Sequence, residues 1–194
     1  MEGLRDRTRR AVRAELAGRA LELFTERGFD ETTVDDIARA AGLSKRSFFR
    51  YFPAKEDVLF GGVEALAEQV AAEIAARPAG EGPWECLHAV LRDWEARINT
   101  QIEVMRLIED TPALRTRLLQ KRDEARGRII EALTGRGVPE LEADLAAAAA
   151  GAALDTVARE WLRTGGSADR TALTDRVFTM LRPAFLAPGT DRPS

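Results

Sequence analysis

Apolar residues recur at three- and four-residue steps through most of the chain, and the pattern predicts an all-α fold of about nine helices. Leu16, Ala20, Leu23 and Phe24 form the inward stripe of a first helix that Gly28 ends. Two short helices joined by a glycine turn follow within residues 32–56. A long helix is expected from Lys55 to about Ala76, with Val58, Leu59, Val63, Leu66 and Val70 on its apolar side. Pro78-Ala79-Gly80-Glu81-Gly82-Pro83 is the clearest interruption and reads as a hinge. Beyond it, Trp84, Leu87, Leu91, Trp94, Ile98, Ile102 and Met105 keep helical spacing. A further helix follows Pro112, carries Leu114, Leu118, Leu119, Ile129, Ile130 and Leu133, and stops at Gly135 and Gly137. The next spans about 139–164 with Ala147, Ala150, Leu154, Val157 and Trp161 along one stripe. Gly165-Gly166-Ser167 turns the chain into a last helix bearing Leu173, Val177, Met180, Leu181 and Ala184. The expected organisation is a small N-terminal domain over 1–54, a larger helical domain over 55–188 and a flexible tail over 189–194.

The segment Thr32 to Glu56 carries the most information. Thr33 is a good N-cap, and Asp36 three positions later completes a capping box with acid at the positive end of the helix. Ile37, Ala38 and Ala41 are small apolar contacts, and Gly42 suits the left-handed backbone that ends a helix. Ser44 is the next cap, and Leu43 and Phe48 stand where a hydrophobic staple closes. Lys45, Arg46, Ser47, Phe49 and Arg50 are left on the outer surface of the second helix. Arginine and lysine donate to guanine acceptors or phosphates, and an aromatic edge can meet a thymine methyl. This is what a helix-turn-helix needs in order to enter a DNA major groove. A generic hairpin with a solvated basic face leaves the agreement of caps, turn, staple and charge unexplained.

Thr32-Thr33-Val34-Asp35-Asp36-Ile37-Ala38, Gly42-Leu43-Ser44-Lys45 and Phe49-Arg50-Tyr51-Phe52-Pro53-Ala54-Lys55-Glu56 resemble the N-terminal domain of tetracycline-repressor-type (TetR) transcriptional regulators over about residues 8 to 60. The resemblance implies an all-helical homodimer in which three DNA-binding helices precede a ligand-binding and dimerisation domain. It implies that Lys45, Arg46, Ser47, Phe49 and Arg50 occupy recognition-helix positions. Tyr51 would contact phosphate, Lys55 would open the fourth helix as a DNA contact, and Thr33 would cap and approach phosphate. Arg46 stands where a small residue is common, Phe49 where Tyr is, and Arg50 where His is. Phe49 has no hydroxyl, so the two arginines compensate with a salt-dependent or guanine-directed contact. Ala54 replaces the polar cap expected before Lys55, at a cost of roughly 1 kcal/mol.

Charge sharpens this reading. The net charge of −3 divides unevenly: residues 1–55 carry 12 Lys and Arg against 9 Asp and Glu, and the remainder 17 against 23. A basic end on an acidic body orients the molecule towards DNA. Arg5, Arg7, Arg9 and Arg10 precede or open the first helix, either as an arm tracking phosphate or the minor groove or as a disordered basic tail. No stretch is apolar and long enough to span a membrane, and none resembles a signal peptide, so a cytoplasmic location is expected. One cysteine and one histidine leave no intramolecular disulfide and no zinc-ligand spacing, and no cofactor or metal is implied. Cys86 reads as a core or pocket-lining thiol, with a redox sensor as the other reading, and His88 as a helix-surface or pocket-edge residue. No phosphate loop or serine elbow is present and no catalytic constellation emerges, so an enzyme is disfavoured.

The last two helices invite a dimer. Ala146 to Ala150, Gly151, Ala152 and Ala153 permit close helix approach, and the family resemblance implies that this helix pair meets its symmetry mate. The expected interface is Ala147, Ala150, Leu154, Val157, Trp161, Leu173, Val177, Met180 and Leu181, although alanine is also simply a strong helix former. Trp94, Ile98, Met105 and Leu119 are candidates for an elongated apolar cavity, with Arg122 among nearby arginines suited to an anionic head group. The segments Asp110 to Leu114 and Ala153 to Arg163 resemble regulators that bind acyl-coenzyme-A-like ligands, which implies a long acyl effector. The expected function is a repressor that binds a palindromic operator and is released by a small apolar effector. The alternative is a constitutive architectural DNA binder, which would not need so large a second domain.

Overall fold

The computed structural model describes residues 4–97 and 102–186, and among them the only regular elements are helices. They are α1 (Leu4–Arg27), α2 (Val34–Ala40), α3 (Lys45–Tyr51), α4 (Gly61–Ala76), α5 (Pro83–Arg97), α6 (Ile102–Asp110), α7 (Pro112–Gly135), α8 (Glu140–Arg163) and α9 (Arg170–Leu186). The all-α expectation of about nine helices holds for these residues. The run from Trp84 to Met105 is two helices, α5 and α6, with residues 98–101 between them outside the described residues. The expected tail over 189–194 also lies outside them.

The expected helix from Lys55 to Ala76 is two elements, a 3-10 turn at Glu56–Leu59 and then α4. Asp57 explains the break. Its carboxylate accepts the Ala54 N–H at 3.1 Å and the Arg117 Nε–H at 2.6 Å, while Phe60 N–H bonds the Asp57 carbonyl at 3.0 Å. Val58 and Phe60 are buried, which anchors the turn. Asp57 thus holds the Ala54 N–H three residues before it, while the turn itself has no side-chain cap.

Contacts divide the chain into two compact units. One holds the chain up to Leu66 together with Glu103–Lys121, the other Ala67–Ile102 together with the chain from Arg122 onward. This differs from the sequence division at 54/55, because α6 and the first turns of α7 complete the first core. Ile108 and Leu114 are buried with Leu16, Ala20, Phe24, Ile37, Phe48 and Phe52. Burying each aliphatic side chain stabilises by about 2 kcal/mol, which a core built from residues 1–54 alone would forgo.

The second unit packs Val70 and Ile74 of α4, Trp84, Leu87, Val90 and Leu91 of α5, Leu133 of α7 and Phe178 of α9 around α8. Its helix α8 turns Ala143, Ala146, Ala150 and Ala153 into this core, where short side chains allow close helix approach. Trp84 stacks on Phe178 with centroids 4.6 Å apart, and its indole N–H donates to the Phe178 carbonyl at 3.2 Å. Arg170 grips the buried Glu95 through two bonds of 2.6 and 3.0 Å, tying the start of α9 to α5. The proline- and glycine-rich segment 78–83, expected to be a hinge, is tied down. Arg77 forks onto Glu81, and Arg136 Nη2 donates to the carbonyls of Pro78 and Glu81 at 2.7 and 3.2 Å.

Candidate nucleic-acid interface

The local chemistry of residues 28–55 sets the geometry of α2 and α3. Asp36 N–H donates to Thr33 Oγ1 at 3.2 Å and Thr33 N–H to Asp36 Oδ2 at 3.0 Å, completing the capping box. The Thr33 hydroxyl and amide hold the Asp36 carboxyl below the usual carboxylate range, so the cap is ionised at the positive helix end. Gly42 takes φ +67°, and Gly42 N–H to Arg39 O and Leu43 N–H to Ala38 O close the end of α2 at 3.0 and 2.8 Å. Ser44 then caps α3 by accepting the Ser47 N–H at 3.1 Å. Phe48 is fully buried and Phe52 nearly so, and their ring centroids lie 5.7 Å apart, with Leu43 packed against the same cluster. These anchors decide which face of α3 points out.

That face carries Lys45, Arg46, Phe49 and Arg50, all exposed; Phe49, a large apolar ring, keeps 48% of its surface accessible. Ser47 is half-buried, and its hydroxyl accepts from Ser44 Oγ at 3.0 Å. Tyr51 is half-buried too, with the Arg50 guanidinium 5.6 Å from its ring centroid. No acidic residue lies in the first turn of α3, so its lysine and arginine add to the positive end of the helix dipole. Thr33 is exposed at the start of α2.

Lys55 is placed differently from the expected free phosphate contact. Its ammonium donates to the carbonyls of Phe29 at 2.7 Å and Thr32 at 3.0 Å, and sits 4.0 Å from the Phe29 ring centroid. Thr32, the first residue of the motif, is buried and donates its hydroxyl to the Gly28 carbonyl at 2.8 Å. Together they lock the loop leading into α2; a lone lysine after the second helix carries no signal of this bond to carbonyls more than twenty residues earlier. Arg5, Arg7, Arg9 and Arg10 are not an extended arm or a disordered tail, because all four lie in the first turns of α1.

The expected ligand-pocket residues do not gather within either unit. Trp94 and Arg122 belong to the second unit and Met105 and Leu119 to the first, and Ile98 lies outside the described residues. Trp94 packs against the core of the second unit, and its indole N–H is buried without a hydrogen-bond partner. Arg122 is ion-paired with Asp155, Met105 packs on the first unit's core, and Leu119 is exposed.

The expected dimer set also divides. Ala147, Ala150, Val157 and Trp161 are buried within the chain's own fold. Leu154, Leu173, Val177 and Leu181 are half-buried, whereas Met180 is exposed, as are Leu141 and Leu145 on the outer side of α8. The periodicity identified the inward stripe of α8, because the core claims the small residues. Cys86 lies wholly in the core, where burial pushes its thiol up. His88 stacks on Phe178 and shares a 2.8 Å hydrogen bond with Asp175, to which Arg92 also donates at 3.0 Å. Among the described residues no cluster of His, Cys, Asp and Glu is arranged to hold a metal, and no helix is long and apolar enough to cross a membrane.

Comparison with known proteins decides the family. Residues 18–61 match the family of bacterial regulatory proteins, tetR family, and residues 63–186 match the MftR C-terminal domain. The chain is 32% identical over 201 residues to the HTH-type transcriptional regulator TcmR of Streptomyces glaucescens, an alignment covering 95% of this chain and 89% of TcmR. The chain belongs to the TetR family. This TetR regulator shares its fold with the Thermus thermophilus transcriptional repressor FadR, solved with lauroyl-CoA, at TM-score 0.59 and 22% identity over 94% of this chain and 99% of FadR. It shares it also with SmeT, the repressor of the Stenotrophomonas maltophilia multidrug efflux pump SmeDEF, solved with triclosan, at TM-score 0.63 and 20% identity over 95% and 96% of the two chains. Each likeness at this identity concerns the fold. The α2–α3 pair lies wholly inside the matched N-terminal segment, so the TetR assignment and the outward basic face of α3 concern the same residues.

Proposed function

We propose that this TetR regulator is a homodimeric repressor whose α3 reads a palindromic operator and whose hold on it is released by a small apolar effector. The observation that carries this reading is the face of α3, on which Lys45, Arg46, Phe49 and Arg50 stand out from a helix fixed by Ser44 and Phe48. Lys45, Arg46, Ser47 and Phe49 meet base edges, while Arg50, Tyr51 and Thr33 meet phosphates. Lys55 contributes by fixing the loop before α2. Two copies are needed to engage half-sites about one DNA turn apart, and the outer faces of α8 and α9, with Leu141, Leu145 and Met180, are the surface on which they pair.

Two fold relatives were solved with an acyl thioester and with a small chlorinated aromatic respectively. The long acyl chain is the effector favoured here, with Trp94 lining its seat and Arg122 exchanging Asp155 for an anionic head group. A hundredfold release of DNA requires the effector to prefer the unbound state by roughly 2.7 kcal/mol.

The test is enrichment of a bound duplex from a random pool, followed by challenge of that complex with lauroyl-CoA, lauric acid and triclosan. A palindromic enriched sequence is expected, with Arg46→Ala weakening it by about 1–3 kcal/mol and relaxing preference at one base position. Trp94→Ala is expected to keep operator binding and lose the response to lauroyl-CoA. No enriched sequence would overturn the repressor reading; release by triclosan alone would overturn only the acyl effector.

A further inference from the structure

The first turns of α1 and the end of α3 bound a cleft of about 470 Å³ lined by Arg5, Thr8, Arg9, Arg50 and Tyr51. A second cleft, of about 270 Å³, shares Arg9, Arg50 and Tyr51 with it. Arg5 and Arg9 are four residues apart and therefore neighbours on one side of α1. Among the described residues, the lining of the larger cleft offers three guanidinium groups, two hydroxyls and no carboxylate, while Asp57 lines the smaller one. Like charges gathered in one cleft repel, and an anion seated among them relieves that repulsion. Planar guanidinium forks match phosphate oxygens in particular. Arg50 belongs both to this cleft and to the exposed face of α3, so a duplex lying on α3 brings its own phosphates to the same place.

We propose that Arg5 and Arg9 of α1 join Arg50 and Tyr51 in seating backbone phosphates of the duplex that α3 reads. Helix α1 is then a second, sequence-independent grip that fixes the register and depth of α3. This rests on the DNA-binding reading above and adds to it two arginines that lie well before the matched segment 18–61.

The test measures the affinity of the full chain for the enriched duplex and for a random duplex across roughly 50–200 mM salt. The double variant R5A/R9A is expected to weaken both duplexes by a similar factor and to reduce the slope of log affinity against log salt by about one to two. R5K/R9K is expected to retain most of the slope. R7A removes an exposed arginine from the same helix but not from the cleft, and its slope is expected to stay near that of the unaltered protein. Alanine is the strongest helix former, so α1 should remain intact in each case, which circular dichroism checks. An unchanged slope in R5A/R9A, or an equal drop in R7A, overturns the phosphate seat while leaving the repressor reading in place. Failure of the unaltered chain to enrich any duplex overturns both.

Discussion

At Lys55 an ammonium group donates to two backbone carbonyls and lies over the Phe29 ring, so most of its donor capacity is consumed inside the fold. Lys55→Ala removes both charged bonds and leaves the Phe29 and Thr32 carbonyls without this donor. It is expected to lower stability by about 2 kcal/mol while leaving the salt slope of DNA binding unchanged. Thermal unfolding and a salt titration check this; a slope reduced by about one with stability intact would mean that Lys55 contacts phosphate directly. Cys86 yields a second residue-scale expectation. Its thiol is pushed up by burial, so little thiolate exists near neutral pH and the group is shielded. Maleimide labelling should therefore track the urea unfolding transition; rapid labelling of the folded chain would revive the redox-sensor reading.

Among the elements, the turn over 78–83 shows how side chains can override a proline- and glycine-rich composition. The Arg77 guanidinium holds the Glu81 carboxyl below the usual carboxylate range, against the burial that would raise it. A depressed carboxyl stabilises the fold fully above its ordinary value, about 4.3, and loses that contribution as pH falls through its lower folded value. Glu81→Gln should therefore lower stability at neutral pH and flatten the acid side of the stability profile, measured as urea midpoints against pH. A variant profile parallel to that of the unaltered chain would show that the pair contributes nothing. Helix α8 makes the complementary point, since one alanine-rich stretch serves two surfaces. Ala143, Ala146, Ala150 and Ala153 face the core, while Leu141, Leu145 and Ala152 face out.

For the whole molecule, that division separates folding from assembly. Ala150→Glu places an unpaired carboxylate in a closed core and is expected to unfold the protomer. Leu145→Glu or Met180→Glu alters an exposed position, and either should give a folded monomer that has lost tight operator binding. Light scattering combined with circular dichroism distinguishes these outcomes. An intact dimer in both surface variants would place the interface elsewhere.

The sequence by itself determined the helical class, the caps at Thr33 and Ser44, the turn at Gly42 and the outward Lys45, Arg46, Phe49 and Arg50 of α3. Each depends on neighbours within about four positions, where backbone hydrogen bonds and helical periodicity act. It could not tell which stripe of an alanine-rich helix is core, because both stripes of α8 are apolar and only packing against Trp84, Leu87 and Phe178 decides between them. Nor could it reveal that Ile108 and Leu114 complete the N-terminal core, that Asp57 breaks the expected long helix, or that Lys55 bonds Phe29 and Thr32. Those contacts join residues from about twenty to a hundred positions apart, or turn on which of two local geometries a distant arginine stabilises. Burial and long-range polar satisfaction settle such choices, and both exist only once the chain has closed on itself.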